Sequence, residues 1–173
     1  MITHRIFFTA FAAGLLSMSA MSPASADQLP EPEGAVLLTV TGDIKVTNVG
    51  DTAQFDLDML RAMEPETFAT STIWTDGVQR YTGVPLRTLM DRLGVESGTI
   101  EARAINDYAI DIPLDDPTSS APIIAFAVDD KRISRREKGP LWIVYPFDSS
   151  VEYRSEVVYA RSIWQLDRIH VTP

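Results

Sequence analysis

The sequence contains no cysteine. That single absence removes disulfides, iron–sulfur clusters, thiolate-held metals and cysteine nucleophiles together. Histidine is nearly as scarce, with His4 near the start and His170 three residues from the end. A zinc site or a histidine-based triad therefore lacks its usual parts. Positive charge is also in the minority, 15 Lys+Arg against 24 Asp+Glu. An acidic surface of that kind repels phosphate backbones and anionic membranes, which argues against nucleic acid as a partner. The chemistry that remains open must use carboxylates, Arg, Lys, Tyr, Trp or a bound cofactor.

The one long apolar run lies at the start. Residues 1–26, MITHRIFFTAFAAGLLSMSAMSPASA, read as a secretory signal peptide: Arg5 is the positive end, Ile6 to Met21 is apolar and small, and Ala24-Ser25-Ala26 is a cleavage site. The run is interrupted by Thr9, Ser17 and Ser19 and is short for a membrane span. Cleavage after Ala26 leaves 147 of the 173 residues, the size of one ordinary domain. The leader takes Arg5 with it, so 14 cations face 24 acids, a net charge of −10. With no second span, the mature protein is expected in the periplasm, free of the membrane.

Along the mature chain, residues 27–34 (DQLPEPEG) read as a flexible lead-in to a domain over 35–173. AVLLTVTG is a strand, and Gly42-Asp43 turns it into a second strand, IKVTN. DLDMLRAM puts Leu57, Leu60 and Met63 on one helical face, with Asp56 as N-cap and Pro65 as terminator. Thr70 to Trp74 has strand composition, and Asp76-Gly77 is a turn. Pro85 begins a helix whose apolar positions are Leu86, Leu89, Met90 and Leu93, closed by Gly94. The second half reads as strands: TIEARAI and YAIDIP about an Asn106-Asp107 turn, APIIAFAV running into an Asp129-Asp130 hairpin, LWIVYPF, and SIWQLDRIHV with a bulge near Asp167-Arg168. Two short helices among many strands predict an α+β domain with mixed or antiparallel sheets.

Few residues stand out chemically. KRISRREK, from Lys131 to Lys138, packs five cations and one acid into eight residues. On an acidic chain it can attract an anion or an acidic partner, but a charge run by itself reads first as a solvated hairpin loop. Lys138 differs from the rest because Gly139-Pro140 fixes it at a strand mouth. Asn106-Asp107-Tyr108 can present an amide, a carboxylate and a phenol from one turn, and Asn106 also serves the turn itself. Trp74, Trp142 and Trp164 read as core rather than as platforms for a ligand. Glu152, Arg154 and Glu156 alternate on what reads as an exposed face.

Taken in order, YTGVPLRTLM, NDYAIDIP, APIIAFAVDD, KGPLWIVYP and IWQLDRIHV resemble the oxidoreductase molybdopterin-binding domain of the sulfite-oxidase type, over roughly residues 35–173. The likeness is to short secreted members made of this domain alone. The resemblance implies that fold, and a molybdenum held by pyranopterin dithiolene and one protein cysteine in the loop after the Thr-rich strand. That place falls at Trp74 or Thr75, and neither an indole nor a threonine hydroxyl replaces a thiolate. The larger enzymes also carry a lysine just before the last tryptophan, where this chain has Ile163 before Trp164. Their export uses a twin-arginine address, and here His4 stands for the first arginine. Together these departures imply a domain that keeps the fold without the cofactor. The expected ligand is a small anion or a periplasmic protein partner, at a pocket formed by Trp74, Arg80, Asp107, Tyr108 and Lys138. The other reading is an oxidoreductase that holds molybdopterin without a protein thiolate.

Overall fold

The computed structural model describes residues 29–173. The expected signal peptide, residues 1–26, lies outside them. Within the segment expected as a flexible lead-in, Leu29 is buried, the Pro30 carbonyl accepts from Asn48 Nδ2 at 2.7 Å, and the Gly34 N–H donates to Asp56 Oδ2 at 2.7 Å.

Among the described residues, ten strands form two sheets, with three short helices between and beside them. The first sheet has the order β2 (Ala53–Phe55), β1 (Leu38–Gly42), β10 (Leu166–Thr172), β5 (Thr99–Ala104), β6 (Ala109–Pro113). The β1–β10 pair is parallel and joins the two ends of the domain; the other pairs in this sheet are antiparallel. The second sheet runs β3 (Glu66–Ser71), β4 (Val78–Pro85), β7 (Ile123–Val128), β8 (Lys131–Arg132), and β9 (Trp142–Val144) also pairs with β7. The fold class is the expected one, α+β with a mixed and an antiparallel sheet.

Alternation explains the first sheet. Ile100, Ala102 and Ala104 of β5 face the core while their neighbours are half-exposed, and Leu38 and Val40 do the same on β1. β7 is apolar at every position and is buried from Ile123 to Ala127, because strands pair on both of its edges and the core covers its faces. Gly83 lets β4 and β7 approach: a Cβ there would collide with the Ile124 carbonyl, and the ladder shifts register between Thr82 and Gly83. The bulge expected near Asp167-Arg168 is present as a register shift between Leu166 and Arg168.

Helix α1 (Leu57–Arg61) begins where expected, with Asp56 Oδ1 accepting from the Met59 N–H at 2.9 Å. Helix α2 (Leu86–Arg92) buries Leu86, Leu89 and Met90, and Gly94 follows at φ 72°.

Several elements differ from the sequence-based expectation. IKVTN is not a strand: the Ile44 N–H bonds back to the Gly42 carbonyl, the Lys45 N–H goes to Leu93, and β1 takes Ala53–Phe55 as its partner instead. The strand expected over Thr70–Trp74 ends at Ser71, and Thr72 to Gly77 form a loop. Val78–Pro85, which reads as a step into a helix, is the central strand β4; half-exposed Gln79 and exposed Arg80 mask its strand character. Glu152, Arg154 and Glu156 are exposed, as expected, but they lie on a 3-10 turn, its end and the start of a third helix, α3 (Glu156–Arg161), where no element was expected. Ser155 Oγ caps that helix by accepting from the Val158 N–H. Trp164 precedes β10 and forms a lone bridge with Trp142.

Candidate functional site

The loop from Thr72 to Gly77 leaves β3 and carries the tryptophan at which the resemblance places a metal ligand. Thr72 Oγ1 accepts from the Trp74 N–H at 3.1 Å and lies 2.7 Å from Thr75 Oγ1, so both hydroxyls are engaged in shaping the loop. The turn directs the Trp74 indole into an aromatic cluster. It meets Trp142, Trp164 and Tyr159 edge to face, with ring centres 5.9, 5.5 and 5.9 Å away. Trp142 is anchored in turn by its Nε1, which donates to the Ser162 carbonyl at 3.1 Å.

On the far side of Trp142 lies the basic segment. A 3-10 turn over Arg135–Glu137 ends at Lys138, whose φ of 77° is left-handed. The turn is well held. The Gly139 N–H donates to the Ser134 carbonyl at 2.7 Å, Gln165 Nε2 donates to the Arg135 carbonyl at 2.8 Å, and the Gln165 N–H donates to the Lys138 carbonyl at 2.9 Å. Lys138 Nζ then sits 5.7 Å from the centre of the Trp142 ring and 5.8 Å from that of Trp164.

A cavity of about 380 Å³ opens here, between β8, the 3-10 turn, Thr75 of the loop and Gln79 of β4. Lys131, Arg132, Arg136 and Lys138 all line it, with Asp129 and Glu137. Both acids have tasks already: Asp129 Oδ1 accepts from the Arg80 N–H at 3.0 Å, and Glu137 Oε2 accepts from Ser134 Oγ at 3.0 Å. Among the described residues, none of the four cations forms an ion pair, although eight other cations do. Beneath them the Tyr81 hydroxyl donates to Gln79 Oε1 at 3.0 Å, which leaves the Gln79 amide nitrogen as a donor. Burial pushes the Tyr81 phenol above its ordinary value, so it remains a neutral donor at neutral pH. The arrangement is a concave, net-cationic site suited to an anion, with Gln79 and Lys138 held in place.

A second cavity, of about 330 Å³, lies against Trp74, which does not line the first. Trp74, Tyr108, Tyr159 and Trp164 wall it, with Asn106 and Ala160.

The five residues expected to form one pocket are thus distributed. Trp74 and Tyr108 line the aromatic cavity and Lys138 the basic one. Arg80 lines neither of these two and is paired with Asp130. Asp107, at φ 66° in its turn, is paired with Arg168 at 2.9 Å. Gln79 carries no signal in the sequence, and Lys131, Arg132 and Arg136 read there only as part of a charge run. Their signal is the density of KRISRREK; that they converge depends on the β7–β8 pairing together with the 3-10 turn that follows β8. Trp142 is core, as expected, whereas Trp74 is only half-buried and Trp164 is 38% exposed.

The chain is similar in fold to the sulfane dehydrogenase SoxCD from Paracoccus pantotrophus, at a TM-score of 0.57 and 16% identity, over 78% of this chain. The match spans 37% of that longer chain. No family model and no curated protein matches the sequence. A likeness at this identity shows a shared fold.

A molybdenum centre of the kind the resemblance implies does not fit the residues present. No thiolate exists in the chain, Thr72 and Thr75 engage each other, and Trp74 occupies the loop. Among the described residues, no group of three His, Cys, Asp or Glu side chains is placed to hold a metal ion.

Proposed function

We propose that the protein is a periplasmic, non-redox domain that binds a small oxyanion in the basic cavity. The observation that carries this reading is the convergence of Lys131, Arg132, Arg136 and Lys138, unpaired among the described residues, on one cavity. On a chain with many more acids than cations, four clustered cations without carboxylate partners leave positive potential for a ligand to neutralise. The Gln79 amide and the Lys138 ammonium, held by Tyr81 and by the two indoles, give the site donors whose positions are set before binding.

Titration calorimetry of the mature protein with sulfate, thiosulfate and inorganic phosphate at low ionic strength tests this. Saturable binding of one of them is expected, weakened about tenfold or more in Lys131→Ala/Arg136→Ala by loss of charge-assisted hydrogen bonds. Absence of binding at millimolar concentration, or equal binding by the double variant, overturns it.

A further inference from the structure

The aromatic cavity is separate from the anion site and is built differently. Among the described residues, no charged side chain lines it. Its size falls at the lower end of small-molecule pockets. Two of its wall residues, Tyr108 at 52% exposure and Trp164 at 38%, stand open to solvent at the mouth, although both are large aromatic side chains. A folded chain gains by burying such rings, so an aromatic wall left accessible is one a ligand can complete.

The geometry further restricts the ligand. Trp74 presents an edge-to-face arrangement to Trp164, at 76°, and to Tyr159, at 85°, and Tyr159 and Trp164 both line the cavity. A planar ring added between such walls meets both ring edges and ring faces, the contacts aromatic pairs prefer. A charged ring would lose hydration here without gaining an ion pair. One polar group is accommodated: Asn106 Oδ1 caps its own turn by accepting from the Tyr108 N–H at 3.2 Å, and its Nδ2 has no protein partner among the described residues. Asn106 Nδ2 and the Tyr108 hydroxyl can therefore address a hydrogen-bonding substituent on the ring.

We infer that this cavity is a binding site for a small neutral arene carrying one hydroxyl or N–H group, of the phenol or indole type. It is a different cavity from the anion site, with its own lining residues.

The probe is p-cresol, with 4-methylcyclohexanol as its saturated counterpart of similar shape. Saturation-transfer NMR and calorimetry on the mature protein should show saturable p-cresol binding, with 4-methylcyclohexanol at least about fivefold weaker. Ala160→Trp, at an exposed helical position, fills the cavity and should abolish binding. Tyr108→Ala, in an exposed turn, should weaken it at least about threefold. Circular dichroism verifies that each variant is folded, and if one is not, the other decides. Equal affinity for the two probes, no p-cresol binding, or wild-type affinity in the folded variants overturns the assignment. Sulfate titration of the same variants separates the two sites: loss of arene binding with anion binding intact concerns this cavity alone. Loss of anion binding in Arg136→Ala with arene binding intact concerns the other.

Discussion

Lys138 Nζ lies 5.8 Å from the centre of the Trp164 ring, so a cation of the basic cavity rests on a wall of the aromatic one. The pair divides the region into two environments: one face of the tryptophan zone is polar and cationic, the other apolar.

Replacing Lys138 by methionine separates its charge from its packing. The thioether keeps the stem against Trp142 and Trp164, and the ammonium is gone. Oxyanion affinity should fall about tenfold, the loss of one charge-assisted hydrogen bond. The urea midpoint should fall only slightly, since Lys138 makes no ion pair among the described residues and each exposed contact of its ammonium with Trp142 and Trp164 is worth about 0.5–1 kcal/mol. Calorimetry and urea unfolding of the same sample check both parts.

Asp116 is held at about pKa 2, well below the usual carboxylate range, by hydrogen bonds from the Thr118 hydroxyl and N–H and from Arg161. Because the folded value is depressed, the stability it contributes is present above about pH 4 and is lost as pH falls toward 2. Asp56 and Asp148 are lowered as well, chiefly by backbone N–H donors, so acid destabilisation should begin in the same range. Asp116→Ala leaves Arg161, a nearly buried cation, without its carboxylate and should destabilise by about 2 kcal/mol or more at neutral pH. The variant should also show a shallower stability loss from about pH 5 to about pH 2.5, measured by urea unfolding at each pH.

Tyr145 is fully buried and its hydroxyl has no hydrogen-bond partner among the described residues. Burial pushes its pKa far upward. Tyr145→Phe removes the uncompensated hydroxyl and keeps the ring against Phe147 and Tyr153. The change should be neutral or stabilising by about 1 kcal/mol, read from the denaturation midpoint. A loss greater than that shows that the hydroxyl is satisfied in solution.

Gly83→Ala places a methyl group against the backbone of Ile124 and Ala125, which cannot swing aside as a side chain would. A loss of about 3 kcal/mol, or failure to fold, is expected. Gly77→Ala has space around its Cβ and suffers only from its φ of 68°, so it should lose about 1 kcal/mol. Thermal unfolding of the two variants side by side tests the ranking.

Molybdenum content is a further check. Mature protein purified from molybdenum-replete cells should hold neither stoichiometric molybdenum nor a pterin that becomes fluorescent on oxidation. Finding both refutes the non-redox reading.

Local physics wrote much of this fold into the sequence. The Leu86–Arg92 helix, the Asp56 cap, the strands about Asn106-Asp107 and the bulge in β10 follow from periodicity, capping and turn chemistry, which act within a few residues. The absence of cysteine likewise excludes a thiolate ligand by composition alone. Tertiary structure decided the rest. β4 is a central strand because β3 and β7 flank it, not because Val78–Pro85 alternates cleanly, and IKVTN lost its place to Ala53–Phe55 through pairing with β1. Whether KRISRREK is a solvated loop or a site depends on where its side chains point relative to Gln79, a residue distant in sequence that lines the same cavity. Hydrophobic pattern specifies which residues are buried. Which charges converge is set by long-range strand pairing, and that leaves no local mark in the chain.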